Sequence, residues 1–325
     1  MANERAVSLS GAFLPAVPVP HGADGAPDWA AHERYVTWMA GQPVSGVAVW
    51  VHTGRGPYLD DDARERVMRA WREGLGEKAL IVAGAGPRAD AGNAPQAVTD
   101  DAVQMAEHAA RLGANALLVF PPTALKGRDD LDAQVLSYHK AVAAVGLPLI
   151  LFYLYEGGGG LRYGPTLLDE LMALPGVAGI KSATCDSVVT FQHISRLIAT
   201  RYPSVTLVTG EDRFLGYSLM RGATACLIGM AAARTAMQRA LLDAALGEDW
   251  AETVRLTRLC DALAEVTFTE PFEGYIERML RCLAIDGVID ESAAHDPYGP
   301  GVGAGEVAAI RACLARLDEE HARGA

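Results

Sequence analysis

Tyr153 and Lys181 are the residues whose types and spacing are most able to do chemistry in this sequence. They follow two short apolar runs, at residues 149–152 and 177–180. Lysine is rarely buried, so a lysine at the end of a buried strand indicates surroundings that need an amine there. Burial lowers the pKa of an amine, and the neutral form attacks carbonyl carbons to give a Schiff base. A lysine that extends from the strand end into solvent is the alternative.

The other candidate groups each have a structural interpretation as well. Tyr153 can be a large amphipathic residue that covers the core. His52 can be a strand-end histidine bonded to backbone, and Thr53 can simply begin a turn. The glycine-rich segment at residues 84–89 echoes a dinucleotide-binding fingerprint, but Pro87 and the lack of a helix directly after it argue against that site.

Composition narrows the class of protein. The chain has 325 residues, of which 50% are hydrophobic and 21% charged, an ordinary globular composition. A net charge of −12 argues against a nucleic-acid partner, because phosphate binding needs clustered Lys and Arg. No apolar run reaches about 18 residues and no signal peptide is recognisable, so we expect no membrane association and a cytoplasmic location.

Cysteine and histidine patterns predict neither disulfides nor a metal. The five cysteines have no C-x-x-C spacing, which favours a reducing compartment, and they are Cys185, Cys226, Cys260, Cys282 and Cys313. The eight histidines lack an H-E-x-x-H or similar spacing. We therefore expect no metal site.

The elements that position these residues form a repeating pattern of strands and helices. Near-continuous apolar runs predict parallel strands covered on both faces, at residues 12–19, 46–51, 79–83, 116–120, 147–153, 177–180, 205–209 and 223–229. Helices are predicted between them, at residues 29–41, 60–71, 94–112, 131–145, 166–174, 186–202 and 212–220, and after them at 231–246, 249–267, 271–284 and 305–317.

Eight strand–helix units of about 30 residues predict a (βα)8 TIM barrel, in the α/β class, with a C-terminal helical extension. Residues 1–230 would carry the barrel strands, and residues 231–325 the last barrel helix and the extension. A doubly wound open sheet is the competing architecture. In a barrel, active sites lie at the carboxyl ends of the strands. We therefore expect one mouth to collect the strand-end residues, namely His52, Thr53, 84–86, 121–123, Tyr153, Lys181, 210–212, Ile228 and Gly229.

The lysine strand resembles that of the dihydrodipicolinate synthase and N-acetylneuraminate lyase family of class I pyruvate aldolases. Members carry a Y-N-V-P-like strand end and a G-I-K-[ED]-[AS]-[ST] strand 28 residues later, the interval that separates Tyr153 from Lys181. Further similar segments are HTGRG, IVAGAG, LVTGEDRF, GATACLIGM and EGYIERMLRCLAIDGVI. The resemblance extends from about Gly11 to about Leu317.

This resemblance implies roles for individual residues. Lys181 would form the imine with pyruvate or a related 2-oxo acid, and Tyr153 would shuttle protons. Thr53 and Gly54 would hold the carboxylate of the 2-oxo acid through hydroxyl and backbone N–H donors. We also expect Thr123, Gly210 and Ile228, all at strand ends, to line the substrate site. No cofactor is implied, and family members suggest a homotetramer built as a dimer of dimers.

Several positions depart from the family pattern. His52 replaces a threonine that relays protons to the tyrosine, so His52 either takes over that relay or binds a different acceptor. Residues 121–123 replace T-P-Y-Y, and Gly158 stands where the family has an arginine. Loss of that arginine removes the expected anchor for aspartate semialdehyde, which argues against a role in lysine biosynthesis.

The resulting hypothesis is a Schiff-base lyase, an aldolase, that acts on a 2-oxo acid and an aldehyde. Dehydration of a 2-oxo sugar acid through the same imine is the first alternative. A catalytically idle binding barrel is the second, and the barrel fold alone distinguishes none of these.

Overall fold

The sheet is a parallel barrel. The computed structural model describes residues 7–324, and its eight strands lie in the order β1-β8-β7-β6-β5-β4-β3-β2 with every paired neighbour parallel. The strands are β1 Phe13–Pro15, β2 Gly46–Val49, β3 Leu80–Ala85, β4 Ala116–Val119, β5 Leu149–Leu154, β6 Val177–Ala183, β7 Thr206–Thr209 and β8 Ala225–Ile228.

A short contact between β1 and β2 closes this sheet. Ala16 forms a parallel bridge with Ala48, and the Val17 N–H donates to the Ala48 carbonyl at 3.1 Å. Closure removes both sheet edges. The predicted TIM barrel is therefore confirmed, and the open doubly wound sheet is wrong.

Helices cover the outside of the barrel and extend beyond it. Those that alternate with or follow the strands are α1 Trp29–Ala40, α2 Asp61–Leu75, α3 Pro95–Arg111, α4 Leu131–Ala143, α5 Pro165–Met172, α6 Val188–Arg201, α7 Leu215–Met220 and α8 Thr235–Leu246. The C-terminal helices are α9 Trp250–Thr267, α10 Tyr275–Ile285 and α11 Ala304–Gly324. The predicted domain division at residue 230 stays a prediction. No helix in the described part of the chain is long and apolar enough to cross a membrane.

The buried residues form two layers that decide which strand residues face the site. The inner layer takes alternate strand residues, including Ala48, Phe152, Leu154 and Val208, and fills the barrel. The outer layer packs the opposite strand faces against the helices. All six residues of β5 are buried, because the strand is covered on both faces.

Two boundaries near the site differ from the prediction. Strand β6 continues to Ala183, so Lys181 lies two residues before its end. Helix α10 begins at Tyr275, after the tight turn Phe272–Gly274, and not at Pro271. The turn brings the start of α10 over the carboxyl ends of the strands.

Candidate active site

Lys181 supplies a buried amine inside the barrel. It is paired with Phe152 on β5 and Val208 on β7, and it is 6% exposed. Its Nζ lies 4.4 Å from the centre of the Phe152 ring. Burial lowers the pKa of Lys181 to about 8, although the negative charge of Asp212 opposes this shift. A substantial fraction of the amine is therefore neutral near physiological pH.

Gly210 makes room for the lysine side chain. A Cβ atom at this position would lie 2.4 Å from Lys181 Cε and 3.0 Å from Cγ. The Gly210 N–H donates to the Ser182 carbonyl at 2.7 Å, which holds the β7 end close to β6. Gly210 is therefore next to the Lys181 side chain, and its role in substrate binding stays a prediction.

Two carboxyl groups follow Gly210 and differ in their partners. Glu211 accepts from the Ser182 and Thr184 hydroxyls and from the Thr184 and Cys185 N–H groups, at 2.7 to 3.0 Å. Burial raises the pKa of Glu211 to about 7 against these bonds. Glu211 therefore ties the end of β6 to the end of β7.

Asp212 is the second of these carboxyl groups, and its negative charge acts on Lys181. It is 7% exposed and accepts from the Met230 N–H at 2.8 Å. Burial raises the pKa of Asp212 to about 6, whereas the Met230 bond and the charge of Lys181 lower it. An ionised Asp212 would stabilise positive charge on the lysine nitrogen.

An ionic network surrounds the turn His52–Gly54. His52 Nε2 lies 3.1 Å from Glu273 Oε1, and Arg55 Nη1 donates to Glu273 Oε2 at 2.8 Å. Arg55 also donates to Asp296 at 2.7 Å. Burial would raise the pKa of Glu273, but His52 and Arg55 lower it to about 2. Glu273 is therefore an anion that fixes the imidazole.

Thr53 is hydrogen-bonded to a tyrosine from α10. The Thr53 and Tyr275 hydroxyls lie 2.9 Å apart, and both residues are buried. Burial raises the pKa of Tyr275 well above its usual value, so its hydroxyl stays protonated. The Gly54 N–H donates to the Val51 carbonyl at 2.9 Å, so it is engaged within its own turn.

The Tyr153 side chain lies on the face of β5 that packs against the helices, whereas Lys181, on the neighbouring strand β6, faces the inside of the barrel. Its ring packs edge-on against Tyr163 at 5.8 Å, in the outer layer. Phe152 holds the inward position beside the lysine. Tyr153 also lines a small cavity with Arg162, Thr184 and Asp186, beyond the carboxyl ends of β5 and β6. Its catalytic role stays a prediction.

Ile228 and Thr123 also differ in placement. The Ile228 side chain belongs to the outer layer, and its carbonyl accepts from the Ala16 N–H at 3.0 Å. The next residue, Gly229, faces the site, since a Cβ there would lie 2.8 Å from the Tyr275 ring and 3.3 Å from Thr53 Oγ1. Thr123 is exposed at the mouth.

A groove of about 760 Å³ lies over the mouth. Its lining residues come from the carboxyl ends of several strands and from the C-terminal region, and include His52, Arg55, Arg88, Phe120, Thr123, Leu154 and Glu273. We call it the mouth groove. It brings Thr123 and His52 to one open space, although Lys181 is not among its lining residues.

An aromatic cluster packs around Tyr275. Phe268 stacks on Tyr275 with ring centres 4.7 Å apart, and Phe272 lies 5.7 Å from Tyr275 and 5.6 Å from Tyr155. Apolar rings exclude water and so strengthen electrostatic interactions beneath them. Within residues 7–324, no group of three or more His, Cys, Asp or Glu side chains could hold a metal ion.

Sequence reasoning missed three residues of this site. Phe152 was hidden in an apolar run that shows no alternation. Glu273 and Tyr275 lie within a segment whose similarity to the family was apparent, but only as a C-terminal helix. Nothing local indicates that this segment reaches His52 and Thr53, more than 200 positions earlier.

Comparison with known proteins places this geometry in context. The family model described as the dihydrodipicolinate synthetase family matches residues 9–305. A 4-hydroxy-tetrahydrodipicolinate synthase from Methylobacterium radiotolerans is 30% identical over 235 residues, covering 72% of this chain and 73% of that protein.

Two solved structures share the whole fold. N-acetylneuraminate lyase from Mycoplasma synoviae superposes with a TM-score of 0.75 at 17% identity, covering 96% of this chain and 97% of that one. A catalytic lysine mutant of the sialic acid aldolase from Ruminococcus gnavus gives a TM-score of 0.80 at 16% identity, covering 99% of each chain.

Proposed function

This chain belongs to the dihydrodipicolinate synthetase family and is a lyase, and we propose that it makes or breaks a carbon–carbon bond beside an imine that Lys181 forms with a 2-oxo acid. Pyruvate is the simplest such acid, and an aldehyde would be the second substrate or product. No cofactor is needed for this chemistry, since the protonated imine itself withdraws electrons.

The observation that carries the proposal is the state of Lys181. Its Nζ rests on the Phe152 ring inside the barrel, and its pKa is lowered to about 8. Relative to an ordinary lysine pKa of about 10.4, this raises the neutral fraction near pH 7 by about 10²-fold. A neutral amine is the form that attacks a carbonyl carbon.

Asp212 complements the positive charge that the reaction creates. When the lysine nitrogen attacks the keto carbon and water leaves, the nitrogen becomes part of a cationic imine. The negative charge of Asp212 acts on Lys181, and the Met230 N–H donates a hydrogen bond that holds the carboxylate in place. A fixed carboxylate in a dry site stabilises that cation without reorganising.

Substrate binding is proposed at the His52–Gly54 turn and the mouth groove. Thr53 would donate its hydroxyl to the 2-oxo acid carboxylate. The Gly54 N–H could donate to this carboxylate only if it gave up its hydrogen bond to the Val51 carbonyl. Thr123 and His52 line the mouth groove, where the second substrate would sit. Tyr153 remains the proposed proton shuttle on the strength of the resemblance, and it lines a small cavity with Thr184 and Asp186 beyond the ends of β5 and β6.

The relatives support the reaction class but differ in their substrates. One is a 4-hydroxy-tetrahydrodipicolinate synthase and others are named sialic acid aldolase or N-acetylneuraminate lyase. This chain has Gly158 where the resemblance to the family implies a carboxylate-binding arginine. We therefore propose an aldehyde without the amino-acid group of aspartate semialdehyde.

Two broader parts of the proposal follow from the resemblance. We propose a homotetramer, and a cytoplasmic location in which the five cysteines, all free in the structure, stay reduced.

A product assay tests the proposal. The enzyme is incubated with a panel of 4-hydroxy-2-oxo acids, and pyruvate and aldehyde are measured by NMR. Cleavage by the wild type and by Lys140→Ala, which changes an exposed lysine, but not by Lys181→Ala, is expected. Loss of water from a 2-oxo sugar acid without cleavage would contradict the lyase proposal and favour the dehydratase. No turnover and no imine with any 2-oxo acid would leave a binding barrel.

A further inference from the structure

The side chains that line the mouth groove define the kind of aldehyde that fits it. We propose that the second substrate of this enzyme is an uncharged aromatic aldehyde, which the groove holds by its ring. This inference rests on the proposed function and deepens it by naming the class of the aldehyde.

The mouth groove is large and mostly apolar. Its volume of about 760 Å³ falls in the range of about 300–1,000 Å³ that holds drug-sized ligands. Three prolines, three alanines, a leucine and three aromatic rings line it, and His52 and Thr123 add hydrogen-bonding groups. Sites for small organic molecules have this composition, with apolar walls and a few polar groups that fix orientation. A two-carbon aldehyde would leave most of the groove empty.

Tyr58 and Tyr298 form an aromatic wall of the groove. Their rings stack with centres 4.6 Å apart, and the two residues are 47% and 39% exposed. Aromatic groups pack on one another in offset-stacked or edge-on geometry, which adds to the free energy gained by burying their surface. The wall therefore favours an aryl group over a short alkyl or hydroxylated chain.

Phe120 supplies the third ring and links the groove to the lysine. Its ring packs edge-on against Phe152 at 6.2 Å, and the Phe152 ring centre lies 4.4 Å from Lys181 Nζ. A Cβ at Gly86 would lie 2.8 Å from the Phe120 ring, so the glycine-rich segment after β3 makes room for this ring. Since Phe120 packs on the inner layer, the groove opens onto the inside of the barrel, where an imine on Lys181 would meet an aldehyde.

The charged side chains that line the groove already have partners. Each lies within 3.4 Å of an opposite charge, in the pairs Arg55–Glu273, Glu156–Lys126 and Arg88–Asp90. A charged group on the aldehyde would give up its hydration without gaining an unpaired counter-charge. The groove therefore favours an aldehyde without a charge of its own.

The proposed carbon–carbon step balances as follows. The enamine of Lys181 and pyruvate gives its carbon–carbon π pair to the aldehyde carbon, while the nitrogen lone pair forms the cationic imine. The aldehyde π pair moves to oxygen, which takes one proton from Tyr153, the proposed shuttle. Water then adds to the imine carbon, the carbon–nitrogen pair returns to Lys181, and one proton is released. The product is a 4-aryl-4-hydroxy-2-oxobutanoate, and cleavage is the reverse.

The rate of cleavage of four synthetic compounds tests this inference. The first is 4-hydroxy-2-oxo-4-phenylbutanoate, and the others carry a methyl, a dihydroxyethyl or a 4-carboxyphenyl group in place of the phenyl ring. Pyruvate release, coupled to lactate dehydrogenase, gives kcat and KM. We expect kcat/KM for the phenyl compound to exceed that for the methyl compound by about 10–100-fold, because the groove buries the ring.

Substitutions of Tyr58 test the aromatic wall. Tyr58→Ala should raise KM for the phenyl compound by about 2–10-fold, the usual contribution of one aromatic pair, and should change kcat less, because the ring acts in binding. Tyr58→Phe keeps the ring and should restore the wild-type KM. Trp250→Ala is the matched control, since Trp250 is also 47% exposed but lies on α9, outside the groove.

Three results would overturn the inference. The first is a kcat/KM for the methyl or dihydroxyethyl compound that equals or exceeds that for the phenyl compound. The second is a preference for the 4-carboxyphenyl compound, which would show that the groove offers a free cation. The third is a wild-type KM in Tyr58→Ala, or an equal rise in Trp250→Ala.

Exchange of the methyl hydrogens of pyruvate in D₂O separates this inference from the proposed function, because exchange needs no aldehyde. A wild type that exchanges these hydrogens but cleaves no phenyl compound would overturn the inference alone. A wild type that neither exchanges nor captures any 2-oxo acid would overturn the proposed function, and this inference with it.

Discussion

Substitution of Gly210 by alanine should disable the lysine while leaving the barrel folded. The added Cβ would lie 2.4 Å from Lys181 Cε, whereas carbon atoms pack at about 3.5–4.0 Å. The lysine side chain must therefore move by roughly 1 Å or more. A displacement of this size can lower the rate of a positioned reaction by about 10²-fold. The two shortest contacts are to a flexible side chain, and the backbone contact, to the Ser182 carbonyl oxygen at 3.1 Å, is less severe. The free energy of unfolding should therefore fall by about 1–3 kcal/mol.

Timed borohydride quenching with pyruvate would measure the rate of imine formation for this variant. The matched control is Gly92→Ala, since a Cβ at Gly92 meets no atom within 4 Å. We expect wild-type behaviour from the control and slow capture by Gly210→Ala. Capture by Gly210→Ala within about tenfold of the wild-type rate would refute the reasoning that a fixed Lys181 position is needed.

Further predictions concern pH and stability. Burial lowers the pKa of Lys181 to about 8, and only the neutral amine reacts. We therefore expect the rate of imine formation to rise about tenfold per pH unit below pH 8 and to level off above it. A rate from borohydride quenching that still rises near pH 10 would contradict this. Glu211→Ala removes the acceptor of four buried hydrogen bonds. The free energy of unfolding, measured by urea denaturation, should therefore fall by about 3 kcal/mol. A loss below about 1 kcal/mol would contradict this and show that water replaces the carboxylate. Asp296→Ala should cost about 2–3 kcal/mol, because Arg55 stays buried with only Glu273 as its carboxylate partner. Asp243→Ala, in an exposed pair, should cost under about 1 kcal/mol. Equal losses in the two would contradict the first figure.

The sequence was sufficient for the barrel because its signals are local. Apolar runs mark strands covered on both faces, and polar periodic segments with caps mark helices, as with Asp28 before α1 and Asp60 before α2. The predicted strands and helices therefore agree with the structure to within a few residues at most ends. Lys181 and Gly210 are brought together because parallel strands end at one side of the barrel.

The orientation of Tyr153 could not be read from the sequence for a related physical reason. The residues of β5, Leu149–Leu154, are all apolar or aromatic, so no period-two pattern says which of Phe152 and Tyr153 faces inward. A shift of one residue exchanges the two faces of a strand. In the structure β5 alternates regularly, with Ile150, Phe152 and Leu154 facing inward and Leu149, Leu151 and Tyr153 facing the helices.

The contribution of α10 depends on contacts between distant parts of the chain. Tyr275 reaches Thr53, and Glu273 reaches His52, only because the turn Phe272–Gly274 folds back over the barrel mouth. Spacing and periodicity describe neighbours along the chain, and they carry no information about such contacts.

The central claim is that Lys181 forms an imine with a 2-oxo acid. Peptide mapping by mass spectrometry after incubation with pyruvate and sodium borohydride tests it most directly. We predict a pyruvate-sized adduct on Lys181 in the wild type, none on Lys78, Lys126 or Lys140, and none on Lys181→Ala. No adduct on Lys181 with pyruvate or any longer 2-oxo acid, or an equal adduct on the other lysines, would contradict the claim.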